Sequence, residues 1–173
     1  GIYIHTLDEF SGMAEAVEDG ETFEENARKK ALHYYRLSGL TTLADDSGLE
    51  VDALHGAPGV HSARFAGRQD DDAANNAKLV ALLRDIPQER RNARFRCVMA
   101  VAHEGGIAAT AQGCVEGVIV DDAAGEEGFG YDPHFLLPDL GKTKAQLPLE
   151  TKNQLSHRGQ ALRAILPAIL RVL

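Results

Sequence analysis

The sequence predicts an α/β fold with a central mixed β-sheet flanked by helices, and three observations predict it. Residues 22–39 carry helix signals at both ends. Leu40–Ala44 follows at once as a short apolar run rich in β-branched residues, which suits a buried, parallel-type strand. Phe95–His103 and Ile107–Val120 are two further strand-like runs joined at Glu104-Gly105-Gly106, a hairpin signal.

Each element has a local cause. Thr22-Phe23-Glu24-Glu25 is a capping box, with Thr22 as N-cap and Glu25 reaching back to its amide. Ala27, Ala31 and Tyr34 follow at helical spacing, and Gly39 suits the residue just past a helix end, so a helix is expected over 23–38. The strand Leu40–Ala44 should end at Asp45-Asp46-Ser47-Gly48 and deliver two carboxylates to its C-terminal edge. Gly56-Ala57-Pro58-Gly59 reads as a loop. Asp72 can cap a second helix over 73–84, with Ala77, Leu79, Val80 and Leu83 on its apolar side. The glycine- and acid-rich stretch 121–132 is a loop, and His134–Leu137 a short strand. From Gly159 onward Leu162, Ile165, Leu166, Ile169 and Leu170 recur at helical spacing, with Pro167 expected to kink or divide that helix.

The 173 residues, 44% hydrophobic and 25% charged, suit one domain over 1–173 with an ordinary core. A net charge of −8 argues against a nucleic-acid-binding face, which needs cations to displace counterions. It leaves room for a nucleotide held by a few local cations and a metal. Cys97 and Cys114 fit no metal spacing and read as buried thiols. No run is long and apolar enough to cross a membrane and no signal peptide is visible, so the expected compartment is the cytoplasm.

Four clusters can carry chemistry. Asp45-Asp46-Ser47-Gly48 places adjacent carboxylates where they repel unless a cation such as Mg²⁺ neutralises them; an Asp-rich turn has the same composition. Glu18-Asp19-Gly20 precedes the capped helix on which Asn26 and Lys30 share a face, an arrangement that also suits an acidic turn and a solvated helix. Gly128-Phe129-Gly130-Tyr131-Asp132-Pro133 can bring backbone and an aromatic ring against a flat ligand, or form a plain turn. Lys152 with Ser156-His157-Arg158-Gly159 can grip a phosphate or a purine edge, or cap the last helix.

In this order, the clusters resemble the inosine triphosphate pyrophosphatase family. The match runs from Glu18 to Leu166 through Thr-Phe-Glu-Glu-Asn-Ala, Ala-Asp-Asp-Ser-Gly-Leu, Gly-Ala-Pro-Gly-Val-His-Ser-Ala-Arg, Gly-Phe-Gly-Tyr-Asp-Pro and Ser-His-Arg-Gly-Gln-Ala. The resemblance implies an elongated, two-lobed fold with a nucleotide cleft between the lobes, a homodimer, and Mg²⁺-dependent cleavage of non-standard purine nucleoside triphosphates (ITP, dITP, XTP) to monophosphate and pyrophosphate. It makes Asp46 the catalytic acid/base and a metal ligand, with Asp45 beside it as a second metal ligand and Glu18, or the nearby Glu15, as a further one. It puts Lys30 on the triphosphate and Ser47 on the substrate. Phe129, Gly130, Tyr131 and Asp132 would line the base and sugar pocket, and Lys152, His157 and Arg158 would complete base recognition.

The sequence departs from that pattern at its start. The family opens with a strand and a Ser/Thr-x-Asn-x-x-Lys phosphate loop, and Gly-Ile-Tyr-Ile-His reads only as the approach to a strand. The expectation is therefore a domain lacking that strand and loop. This keeps a non-catalytic nucleotide-binding module in view, beside a pyrophosphatase for other modified nucleotides.

Overall fold

A computed structural model describes residues 2–173. Five strands and four α-helices follow the first, irregular stretch: α1 (Phe23–Ser38), β1 (Thr42–Val51), α2 (Asp72–Leu83), β2 (Asn92–His103), β3 (Gly106–Ile119), β4 (Phe135–Leu137), β5 (Lys142–Thr143), α3 (Leu149–Leu155) and α4 (His157–Val172). The strands form one sheet in the order β1-β2-β3-β4-β5. Gly1 lies outside the described residues, and residues 2–6 belong to no strand.

The long strands β1–β3 carry two packed regions. At one end α1 covers one face through Phe23, Ala27 and Ala31 against Val98, Ala100 and Ala102. There α4 covers the opposite face through Ala161 and Ile165 against Cys97, Met99 and Val101. At the other end Leu49, Val51, Ala93 and Phe95 meet Leu79 and Leu83 of α2, Phe135 and Leu137 of β4, Tyr131 and Leu147. The alternation of side chains across a strand makes this two-sided burial possible: β2 offers Cys97, Met99 and Val101 to α4, and Val98, Ala100 and Ala102 to α1. Gly113 lets α4 approach β3, since a side chain there would run into the His157 carbonyl and the Ala161 amide.

Several expectations need correction. The α/β class holds, but among the described residues every strand pairing is antiparallel, so the sheet is not mixed. The predicted parallel-type strand pairs with β2 from Thr42↔Ala102 to Val51↔Ala93. The connection between them, which contains α2, returns the chain in the opposite direction. β1 also does not stop at Ala44. Asp45, Asp46, Ser47 and Gly48 lie inside it, opposite Met99, Val98, Cys97 and Arg96, because backbone pairing with β2 outweighs a turn-like composition.

α1 has the expected bounds, with Gly39 in the left-handed region and the Glu25 amide donating to the Thr22 hydroxyl. The Glu25 carboxylate instead accepts from the amide of Glu21, one residue earlier than expected. The cap of α2 is Asp71, which leaves Asp72 free for another partner. The hairpin turns on Glu104 and Gly105, both at positive φ, as a tight two-residue loop requires. α4 begins two residues early, at His157, and continues unbroken through Pro167. Cys97 is buried as expected, whereas Cys114 is only half-buried.

Candidate active site

Because Asp45 and Asp46 are neighbours in a strand, their side chains leave opposite faces of the sheet. Asp46 turns toward α1. Its carboxylate accepts from Asn26 Nδ2 at 3.0 Å and from the Ser47 amide at 3.0 Å. Asn26, fully buried on α1, uses its own carbonyl to accept from the Gly20 amide at 2.7 Å and so fixes the segment carrying Glu18. Lys30, one turn on, ion-pairs with Glu18. Burial raises the Asp46 carboxyl above the usual carboxylate range; the Asn26 bond and Lys30 charge oppose this, and the Glu18 charge adds to it. Of the two acids considered, Glu18 is the one that meets Lys30.

Asp45 turns toward α4, where Arg158 Nε donates to its carboxylate at 3.0 Å. Its backbone carbonyl accepts from Lys30 Nζ at 2.9 Å on the other side. Asp45 therefore stands between two cations, Lys30 and Arg158, and its carboxylate points away from that of Asp46.

On the α4 side opens a cleft of about 240 Å³ lined by Ser47, Leu49, Phe95, Phe129, Asp132, Lys144, His157 and Arg158, among others. Phe129 is 69% exposed at its mouth, with the Arg158 guanidinium 5.7 Å from the ring centre. The loop bearing Phe129 is held by two side chains of α2. Asp72 accepts from the Gly130 amide at 2.7 Å, and Asn76 donates to the Gly130 carbonyl at 2.8 Å. Gly128, at positive φ, lets that loop close over Asp132 and Lys152, where any side chain would collide with both.

The floor of the cleft is charged and buried. Asp132 is 5% exposed and bridges two ammonium groups, Lys144 at 3.1 Å and Lys152 at 3.2 Å. Lys144 also lies 4.1 Å over the Phe95 ring, against which the His157 imidazole stacks at 5.2 Å. Burial drives His157 down to about 3, helped by the Lys144 and Arg158 charges, so the ring is neutral at physiological pH. Its Nδ1 is buried without a partner, a polar atom left open beside the cleft.

Asp45 departs from expectation: alternation along β1 sends its carboxylate to Arg158, on the face opposite Asp46 and Glu18, so it does not join them as a metal ligand. The other predicted site residues gather in two groups. Glu18, Lys30 and Asp46 share the α1 side. Ser47, Phe129, Gly130, Tyr131, Asp132, His157 and Arg158 line the cleft, and Lys152 reaches its Asp132 floor. Tyr131 lines the cleft with its hydroxyl already committed: it donates to the Ser62 carbonyl at 2.7 Å, and burial raises it out of any useful titration range. Sequence reasoning missed Asp72, Asn76 and Lys144. Thr143-x-x-Gln146 was the available signal for Lys144: the Gln146 side chain accepts from the Thr143 amide at 2.9 Å and fixes the short turn that carries the lysine. Among the described residues, no three or more His, Cys, Asp or Glu side chains assemble into a metal-ligand set.

Comparisons with known proteins bear on the family and the fold. The model of the Ham1 family matches residues 1–168. The chain is 54% identical over 172 residues to the dITP/XTP pyrophosphatase of Desulforamulus reducens, covering 99% of this chain and 86% of that protein. It is 53% identical over 157 residues to the dITP/XTP pyrophosphatase of Geobacter sulfurreducens, covering 91% and 79%. Among solved structures, the Ham1 protein of Staphylococcus aureus superposes with a TM-score of 0.87 at 43% identity, over 95% of this chain and 84% of that one. The nucleoside-triphosphatase, or dITP/XTP pyrophosphatase, of Mycobacterium abscessus superposes with a TM-score of 0.83 at 45% identity, over 98% and 86%. The family resemblance carried by the five motifs therefore holds over nearly the whole sequence, and the chain belongs to the Ham1 family.

Proposed function

We propose that the chain is a nucleoside triphosphate pyrophosphatase that hydrolyses non-standard purine nucleoside triphosphates (dITP, XTP and ITP) to the monophosphate and pyrophosphate. The observation that carries the reading is the position of Asp45, with Lys30 on its carbonyl and Arg158 on its carboxylate. It joins an acid-and-ammonium group on one face of β1 to an aromatic, cationic cleft on the other. A base in the cleft, under Phe129 and against the Asp132 floor, directs its phosphates past Ser47 toward Lys30 and Asp46.

The geometry supports a role for each residue. Asp46, held by Asn26 and the Ser47 amide, has a raised carboxyl suited to accepting a proton from an attacking water. Lys30 offsets charge that grows on the departing pyrophosphate. Phe129 stacks on the base, and a cationic floor favours oxo groups on the purine over the amino group of adenine, whose mismatch leaves a buried donor unpaired. Glu18 and Asp46 suit Mg²⁺: their like charges already raise the Asp46 carboxyl, and one or two carboxylates with substrate phosphates are the usual Mg²⁺ set. Bound there, Mg²⁺ would neutralise phosphate charge and favour departure of pyrophosphate. The same reading extends to a cytoplasmic homodimer; no described helix is long and apolar enough to cross a membrane.

The test is pyrophosphate release from dITP, XTP, ITP and dATP, each with Mg²⁺ and with excess chelator. Turnover of the first three in Mg²⁺, with little from dATP, is the expected result. Equal turnover of dATP, or no pyrophosphate from any of them, would overturn the reading.

A further inference from the structure

The floor of the cleft holds more positive charge than its own carboxylate balances. Lys144 and Lys152 share Asp132. Arg158 is taken by Asp45 across the strand, and His157 stays neutral in its buried stack on Phe95. The other acids at the cleft, Asp70 and Asp72, belong to the segment entering α2; Asp72 is bound to the Gly130 amide. Lys144 is 7% exposed, anchored by the capped turn Thr143–Gln146 and fitted between the Phe95 ring and Asp132. Burial works against its charge, as do Lys152 and Arg158, and only Asp132 supports it.

From this arrangement we infer that Lys144 is a specificity-determining residue that makes the cleft prefer the xanthine base over hypoxanthine. The inference rests on the pyrophosphatase reading and narrows its substrate. Xanthine carries oxo groups at both C2 and C6 and gives up a ring proton near neutral pH; hypoxanthine has one oxo group and stays neutral there. An electron-rich or anionic ring supplies the counter-charge that two lysines on one carboxylate lack, and it relieves the burial cost of the Lys144 ammonium. The neighbouring His157 Nδ1, buried without a partner, offers the ring edge a second hydrogen-bonding atom.

The experiment is calorimetric binding of xanthosine and inosine monophosphates to the full chain, from mildly acidic to mildly alkaline pH. The two ligands share the same phosphate, so the ratio of affinities reports the base alone. The wild-type ratio should favour the xanthosine nucleotide and rise with pH as xanthine ionises. Lys144→Met leaves Asp132 with Lys152 and keeps an apolar side chain on Phe95; it should lower the ratio about tenfold and flatten its pH dependence. Lys144→Arg should restore the preference. A structural role alone would weaken both ligands equally, so an unchanged ratio in a folded Lys144→Met protein overturns the inference while dITP turnover still supports the pyrophosphatase. Should Lys144→Met fail to fold, a wild-type ratio that is flat with pH overturns it equally. Failure of wild type to bind either monophosphate overturns the inference, while the pyrophosphatase reading is decided by pyrophosphate release from dITP.

Discussion

The Arg158 guanidinium reaches from the first turn of α4 to the Asp45 carboxylate at 3.0 Å, joining residues 113 positions apart in sequence. On the far side of the same residue, Lys30 holds the Asp45 carbonyl. The two cations that would handle a nucleotide's base and phosphates are thus spaced by one residue of β1.

Asp45→Asn should test this spacing. The pair is half-exposed, so its loss should change stability by less than about 1 kcal/mol. Arg158 would lose its orientation, and KM for dITP should rise about three- to tenfold with kcat little changed. Steady-state kinetics beside urea unfolding would separate the two effects.

In the metal-free protein the Asp46 carboxyl should titrate above the ordinary aspartate range, because burial raises it, and an NMR titration would read it directly. A raised carboxyl favours the folded state at low pH, and that contribution fades as pH rises through the folded value. Glu18 adds to the elevation, so Glu18→Gln should move the Asp46 titration to lower pH. A titration that moves upward would contradict the placement of Glu18 beside Asp46.

Much of this was legible in the sequence, for physical reasons that also mark the failures. Thr22, Glu25 and Gly39 act within one turn of the helix they bound, so α1 could be read locally. Glu104 and Gly105 determine their turn in the same way. Asp45 and Asp46 could not be placed, because their strand exists through pairing with Met99 and Val98 more than fifty residues away. Asp72 reads from the sequence as a helix cap and Asn76 carries no signal there; both clamp Gly130, a contact that only the fold creates. Thr143 and Gln146 mark the turn that carries Lys144, but its role exists only once Asp132, Lys152 and Phe95 close around it.

Phe129→Ala should weaken nucleotide binding by about 1–3 kcal/mol through lost stacking. The ring is exposed, so the melting temperature should stay near that of wild type. Tripolyphosphate, which has no base, should bind both proteins alike. Equal weakening of both ligands would assign the ring to holding the loop.

His157 should make the fold acid-sensitive. Its folded value is depressed to about 3 by burial, against the ordinary 6.5, so the unfolded chain takes up a proton that the folded one refuses. Its contribution to stability is present above pH 6.5 and is lost as pH falls from there toward 3. One such group gives a slope of up to about 1.4 kcal/mol per pH unit. Urea unfolding at neutral and mildly acidic pH should show a smaller loss for His157→Gln than for wild type.

The most direct test of the central claim, a water activated by Asp46 that releases pyrophosphate intact, is hydrolysis of dITP in ¹⁸O-water, with mass analysis of both products. The account predicts the label in deoxyinosine monophosphate, unlabelled pyrophosphate, and a rate that falls about 10²–10⁴-fold in Asp46→Asn while nucleotide binding persists. Label in the pyrophosphate, release of orthophosphate with a diphosphate product, or an Asp46→Asn protein that turns over at the wild-type rate would contradict it.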